Sequence, residues 1–197
     1  RPGLFADLCG ALSAAGANVA AAHLYENGDK GVLDVFDIQD ARGAPLGADH
    51  PHALSRLIED LKASAAGGEN VKRPGKAPAA SRRHAAFIIS PTVLIDRTAS
   101  YDSTVIEVSG RDRPGLLYDI ARELADAGLS IRSAHVGAYG ERVHDVFYVE
   151  MLGGGGMPPE MDEKLTTRLV EVLRSHAPTA PRIPAHTLAR APASFDR

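Results

Sequence analysis

Hydrophobic and polar positions along the chain change period several times, and each change marks an element. From Thr104 to Ser109 the run TVIEVS alternates β-branched and polar residues, the period-2 pattern of a strand. Past Gly110-Arg111-Asp112-Arg113 the period lengthens. Leu116, Leu117, Ile120, Leu124 and Ala127 recur at helical spacing. Pro114 suits the first turn, where its missing N–H is no loss, and Gly128 stops the helix. Ser130 to Ala138 and Val143 to Met151 predict two further strands joined by a turn at Tyr139–Arg142. Glu160 to His176 predicts a second helix with Leu165, Leu169, Val172 and Leu173 on one face. The order is strand, helix, strand, strand, helix.

The same order appears earlier. Arg1-Pro2-Gly3-Leu4 repeats Arg113-Pro114-Gly115-Leu116 at an offset of 112, and Asp7, Leu12, Ala15, Gly16, Ala22 and His23 match Asp119, Leu124, Ala127, Gly128, Ala134 and His135. After a one-residue gap, Asp34-Val35-Phe36 matches Asp145-Val146-Phe147. The period is domain-sized, too long for a solenoid repeat. In the first copy, Pro2–Ala15 is the helix and Val19–Tyr25 and Val32–Gln39 are strands. They are joined by the hairpin-type turn Asn27-Gly28-Asp29, and Leu54, Leu57, Ile58 and Leu61 mark a second helix. A first strand equivalent to Thr104–Ser109 would lie upstream of Arg1. The chain has no initiator Met and opens inside a motif, so it is expected to be part of a longer protein.

These patterns divide the chain into a first unit at 1–63, a linker at 64–86, an apolar strand segment at 87–96, a second unit at 103–176 and a tail at 177–197. The linker is rich in Ala, Gly, Pro and basic residues, the composition of a flexible tether. Pro91 confines the 87–96 segment to an edge or splits it. The tail carries Pro and Arg and is expected to be loosely ordered.

Composition removes several functional classes. The formal net charge is −3, whereas nucleic-acid binders are usually basic. No apolar run approaches the ~18 residues of a membrane span. The single cysteine, Cys9, excludes a disulfide framework within the chain and fits a reducing, cytoplasmic compartment. Its place in a helical pattern reads as a small buried hydrophobe. His50-Pro51-His52 lacks a third metal ligand. Gly153–Gly156 is not followed by the Lys-Ser/Thr of a phosphate loop. His144-Asp145 lies in a strand pattern, where neighbours face opposite ways, so no metal site is expected there.

Taken together, Gly110-Arg111-Asp112-Arg113-Pro114-Gly115-Leu116-Leu117, Ala134-His135 and Asp145-Val146-Phe147-Tyr148-Val149 resemble an ACT domain. Val93–Met151 is similar to the second, and Arg1–Leu61 to the first, of the two ACT domains that end the bifunctional PII uridylyltransferase/uridylyl-removing enzymes. The resemblance implies an α+β fold of two ferredoxin-like βαββαβ sandwiches with antiparallel sheets, the first truncated at its N-terminus. It implies sensing of a small ligand, glutamine or another amino acid, in nitrogen regulation. High glutamine would favour removal of UMP from the PII signal protein and low glutamine its addition. It also implies magnesium in the catalytic part of the parent enzyme, and ACT–ACT association within or between chains. The Gly-Ser and spaced aspartates of uridylyl transfer are not found here, so the fragment itself is expected to have no catalytic residues and no turnover.

Physical chemistry gives the repeated motif a purpose. A helix start leaves backbone N–H groups without intrahelical partners, and its dipole suits a carboxylate. Gly115 permits close approach, Arg113 adds a cation, and Asp112 is placed to accept from an α-ammonium. The candidate ligand-binding set is therefore Asp112, Arg113, Pro114, Gly115, Leu116 and Leu117, with Ser133 and His135 reading the ligand's side chain. Arg1, Pro2, Gly3, Leu4 and His23 are their counterparts in the first copy. Asp-x-Pro-Gly is equally a plain helix-start sequence, and both histidines equally suit packing. Two rival functions share the fold: a free-standing tandem-ACT regulator and the ACT tail of an amino-acid biosynthetic enzyme. RNA-binding relatives of the fold need aromatics on the central strands and a basic surface, whereas the strand Thr104–Ser109 has none and the net charge is negative; metal carriers need a Cys-x-x-Cys loop, which the single Cys9 excludes.

The absent first strand generates an expectation. A chain extended upstream by about ten residues, roughly one strand and its turn, carries an apolar alternating strand; without it the gap is filled from Phe87–Asp96 or by a second chain. Comparing the solution masses of the two lengths checks this, and a stable monomer with an empty central sheet position contradicts it.

Overall fold

The structure, a computed structural model, describes residues 3–26, 31–40, 42–48, 51–67, 89–100 and 102–175. Its elements follow the predicted order: α1 (Leu4–Ala14), β1 (Asn18–Glu26), β2 (Val32–Gln39), α2 (Pro51–Ala66), β3 (Thr92–Asp96), β4 (Thr104–Arg111), α3 (Leu116–Asp126), β5 (Leu129–Tyr139), β6 (Arg142–Met151) and α4 (Asp162–Arg174), the last entered through a 3₁₀ turn. The fold is α+β, built from ferredoxin-like units as ACT domains are. The predicted turn at 27–29 and the tail lie outside the described residues; of the linker read at 64–86, residues 64–66 belong instead to α2, which runs to Ala66, and 68–86 lie outside the described residues.

Glycine sets where the two equivalent helices begin and end. Gly3 and Gly115 precede α1 and α3 in the left-handed region, with φ 73° and 78°. Side chains bearing a Cβ adopt that region at a cost. Each glycine carbonyl then accepts the amide of the residue four further on, Asp7 and Asp119, at 3.0 Å. Gly16 and Gly128 end the helices at φ 76° and 79°. One local solution is used twice.

The strands form one antiparallel sheet in the order β2-β1-β5-β6-β4-β3. The units meet edge to edge where β1 pairs with β5: Ala21↔Gly137, Ala22↔Val136 and His23↔His135. His23 and His135 are the equivalent residues of the two copies, so the seam has a local two-fold axis at that pair, the isologous arrangement of a symmetric dimer within one chain. The core is continuous across it. Phe5, Cys9, Ala22 and Leu24 of the first copy join Ile106, Ile120, Leu124, Phe147 and Leu169 of the second in one buried cluster. Cys9 is buried, as its helical position predicts.

Two expectations are corrected. The Phe87–Asp96 segment does not fill the first copy's gap. Its strand, β3, pairs with β4 from Thr92↔Ser109 to Asp96↔Val105, at the opposite end of the sheet from the first copy. There it occupies the place of a fourth strand of the second unit, and Arg97 ties its end to α4 through Asp162 (2.7 Å) and the Met157 carbonyl (3.0 Å). The second copy needed a strand as well, and it is the nearer partner along the chain. The apolar face predicted for α2 is also largely uncovered. Leu57 is buried, but Leu54 and Ile58 are 39% and 45% exposed, because the first copy has only two strands beneath its helices. β2 remains the sheet's edge.

Gly115→Ala and Gly3→Ala each force a Cβ into the left-handed region, so each is expected to cost about 1–2 kcal/mol. Gly153→Ala, whose Cβ meets nothing within 4 Å and whose φ is ordinary, is expected to stay within ~0.5 kcal/mol. Urea unfolding of the three variants measures this.

Candidate functional site

The sheet has a helix-covered face and an open face, and strand alternation sorts the candidate residues between them. At the end of β4 the chain turns through Asp112–Gly115 into α3. The Asp112 amide donates to the Glu141 carbonyl in the β5–β6 turn at 2.9 Å, and Arg111 pairs with Glu141 at 2.5 Å. The loop is thus fixed to the hairpin beside it. No side chain caps α3. The Asp112 carboxyl is raised above the ordinary carboxylate range by desolvation, partly opposed by the amide hydrogen bond and positive charge of Arg113.

Arg113 is committed elsewhere. Its guanidinium binds Asp119 at 2.6 Å, the Val172 carbonyl at 3.2 Å and the Ser175 hydroxyl at 3.0 Å. The attraction is physical: the last turn of α4 presents carbonyl oxygens with partial negative charge. Arg113 therefore fastens the loop to α4. Leu116 is buried in the core, Leu117 packs against it, and Pro114 is exposed. In the first copy Gly3 and Leu4 repeat the helix start; Arg1 and Pro2 lie outside the described residues.

The residue that sequence reading set aside is Asp145. It is 1% exposed, on the helix-covered side of β6, among Val143, Phe147 and Val149. The β5–β6 ladder pairs His135↔Val146 and Ala138↔Val143 and is interrupted between them. The Gly137 amide donates to Asp145 Oδ1 at 3.2 Å. Burial pushes the Asp145 carboxyl up to about 7; the Gly137 amide opposes the shift and the charge of Asp112 adds to it. No Lys or Arg forms an ion pair with it among the described residues. Asp34, its counterpart on β2, is also raised by desolvation. Cys9 on α1 lies where both charges act on it: its thiol is pushed well up by burial, then by Asp34 and Asp145. Carboxylates of both copies, one on each side of the β1–β5 seam, thus act on the same thiol.

Ser133, His135 and His23 take the other face. Alternation along β5 turns Ala134 and Val136 into the core and Ser133 and His135 away from the helices; β1 does the same with Ala22, Leu24 and His23. They do not join Asp112 at the helix start. A groove of about 410 Å³ between α3 and α4 is bordered by Arg122, Glu123, Arg168 and Glu171. Its charges are matched, Arg168 to Glu123 at 2.6 Å and Arg122 to Asp126 at 3.0 Å. Asp119, Val172 and Ser175, the partners of Arg113, line its other end, so the groove reaches the Asp112–Gly115 loop.

The ACT domain family matches residues 104–165. The chain is 54% identical over 149 residues, 76% of its length, to the bifunctional uridylyltransferase/uridylyl-removing enzyme of Phenylobacterium zucineum. It is 39% identical over 185 residues, 92% of its length, to that of Gluconobacter oxydans. A third enzyme of the same name, from Ruegeria pomeroyi, is 39% identical over 182 residues, 91% of the chain. The matched stretch spans 16%, 19% and 20% of these relatives' own lengths.

Asp145 makes a signed prediction. Its carboxyl titrates near 7 when folded and near 3.9 when unfolded. Between those values the folded chain holds a proton that the unfolded chain has released, so stability falls as pH rises from about 4 to 7 and levels off above. Asp145→Asn keeps the acceptor for Gly137 and removes the titration. It is expected to flatten that decline and to exceed the parent at pH 8 by on the order of 4 kcal/mol. Urea midpoints at pH 4.5, 6 and 8 measure it.

Proposed function

The chain belongs to the ACT-domain family and is a homologue of one stretch of the bifunctional uridylyltransferase/uridylyl-removing enzymes; on that premise we propose that it is the C-terminal amino-acid-sensing region of such an enzyme, with free glutamine as its ligand. In this reading the parent enzyme adds UMP to the PII signal protein and removes it, using magnesium held in its catalytic part, and glutamine on the ACT pair favours removal. The fragment's part in the chemistry is, in this reading, regulatory. The names of its relatives favour this reading over a free-standing tandem-ACT regulator or the tail of a biosynthetic enzyme.

The observation that carries the proposal is the pair of desolvated carboxylates, Asp112 in the loop before the uncapped start of α3 and Asp145 on β6 within reach of its charge. Asp145 is buried and Asp112 half-buried, and the charge of Asp112 disfavours the ionisation of Asp145. An α-ammonium relieves both the desolvation and the repulsion. The ligand's carboxylate then faces the first-turn amides of α3, where the helix dipole favours negative charge. Arg113 takes no part in this, being held by α4. The neutral side-chain amide of glutamine adds no charge to an already acidic site, whereas a glutamate side chain would.

Calorimetry tests the reading. Glutamine is expected to bind, and Asp112→Ala to weaken it by roughly 1.5–3 kcal/mol, the range for a lost charged hydrogen bond. An ammonium beside Asp145 pulls its titration down from about 7, so binding at pH 6 releases protons and binding at pH 9 does not. Heats in two buffers of different ionisation enthalpy read that release. Absence of glutamine binding, or unchanged affinity in Asp112→Ala, contradicts the proposal.

A further inference from the structure

The open face of the sheet holds a second chemical feature at the seam. The register sets His23 opposite His135, and because they are equivalent positions of the two copies, the local two-fold brings two identical rings together. Their Nδ1 atoms are 3.3 Å apart, with ring centroids at 5.4 Å and planes inclined by 69°. His135 is exposed and His23 half-buried. Tyr25 flanks one ring at a centroid distance of 6.5 Å and Tyr148 the other at 6.1 Å.

As a neutral pair, these nitrogens share a single hydrogen. One ring must carry it on Nδ1 while the other presents a lone pair, so two symmetric positions are forced into opposite tautomers. A metal ion removes that conflict, since both rings then offer lone pairs to it. In a tetrahedral site with Zn–N of about 2.0–2.1 Å, two nitrogen ligands stand ~3.3–3.4 Å apart, the separation found here. We propose that His23 and His135 form a divalent transition-metal site of the zinc class, ligated through the two Nδ1 atoms and clamping the two copies together at their seam. Imidazole ligands suit Zn²⁺ and its neighbours and disfavour Mg²⁺. No cluster of three stands among the described residues; what sets this pair apart from His50 and His52 is that the β1–β5 register already holds the two nitrogens at ligand separation, and the remaining positions go to water or to an incoming donor. The inference rests on the β1–β5 register and not on the amino-acid reading, whose acids lie on the other face.

The test uses the whole chain titrated with Zn²⁺, Co²⁺ and Mg²⁺. Expected are one saturable Zn²⁺ or Co²⁺ per chain, a raised Tm with Zn²⁺ and none with Mg²⁺, and loss of both effects in His23→Gln and in His135→Gln. His144→Gln, an exposed β6 histidine, is expected to bind as the parent does. In ¹⁵N-histidine-labelled parent protein, the Nδ1 resonances of His23 and His135 alone should move on adding Zn²⁺, a readout that does not depend on any variant folding. No saturable binding, resonances of other histidines moving instead, or binding that survives in both glutamine variants would overturn the proposal.

Discussion

The pairing of β1 with β5 is the constraint on which the rest depends. A two-stranded sheet is marginal in water without further packing, and the first copy has only β1 and β2 under α1, with Leu54 and Ile58 of α2 left partly exposed. Joining the two second strands edge to edge turns two incomplete sheets into one of six strands. It lets Phe5, Cys9, Ala22 and Leu24 bury themselves in the core built around Phe147 and Ile120. It also removes two exposed edges, which otherwise invite pairing with other chains.

The same seam produces the chemistry on both faces. Beneath the helices it brings Asp145 and Asp34, the paired acids of the repeat, close enough for both to act on Cys9. On the open face it brings together the paired histidines. Neither arrangement exists in one copy alone. A duplicated sequence associating about a local two-fold doubles each of its polar residues near the axis, and those groups must share protons, repel, or take a ligand between them.

Much of the local structure was legible in the sequence because it depends on local rules. Alternation marked β4 and β6, helical spacing marked α3, and the matching glycines at 3, 16, 115 and 128 marked turns that need φ near +75°. What was not legible depended on contacts distant in sequence. Arg113 beside Pro-Gly reads as a cation for a ligand until α4 delivers Asp119's neighbours Val172 and Ser175 to it. His135 reads as a ligand contact at the helix start until strand alternation, fixed by the core, turns it to the other face. The Phe87–Asp96 strand had two edges to choose from, and pattern alone does not rank them. Asp145 was rightly placed in a strand facing away from His144. Its burial, with no ion-pair partner among the described residues, became visible only in the assembled core, and no residue near it in sequence signals that.

The account's central claim is that the two copies act as one unit through the β1–β5 seam and that the amino-acid site is part of that unit. Native-state hydrogen exchange of the whole chain, with and without glutamine, tests it most directly. The account predicts that amides of β1 and β5 at Ala22–Leu24 and Ala134–Gly137 open together with those of β4 and β6, and that glutamine slows exchange at the seam and at the start of α3 alike. Amides of β1 and β2 exchanging on their own, faster than β4 and β6 and indifferent to glutamine, would contradict it.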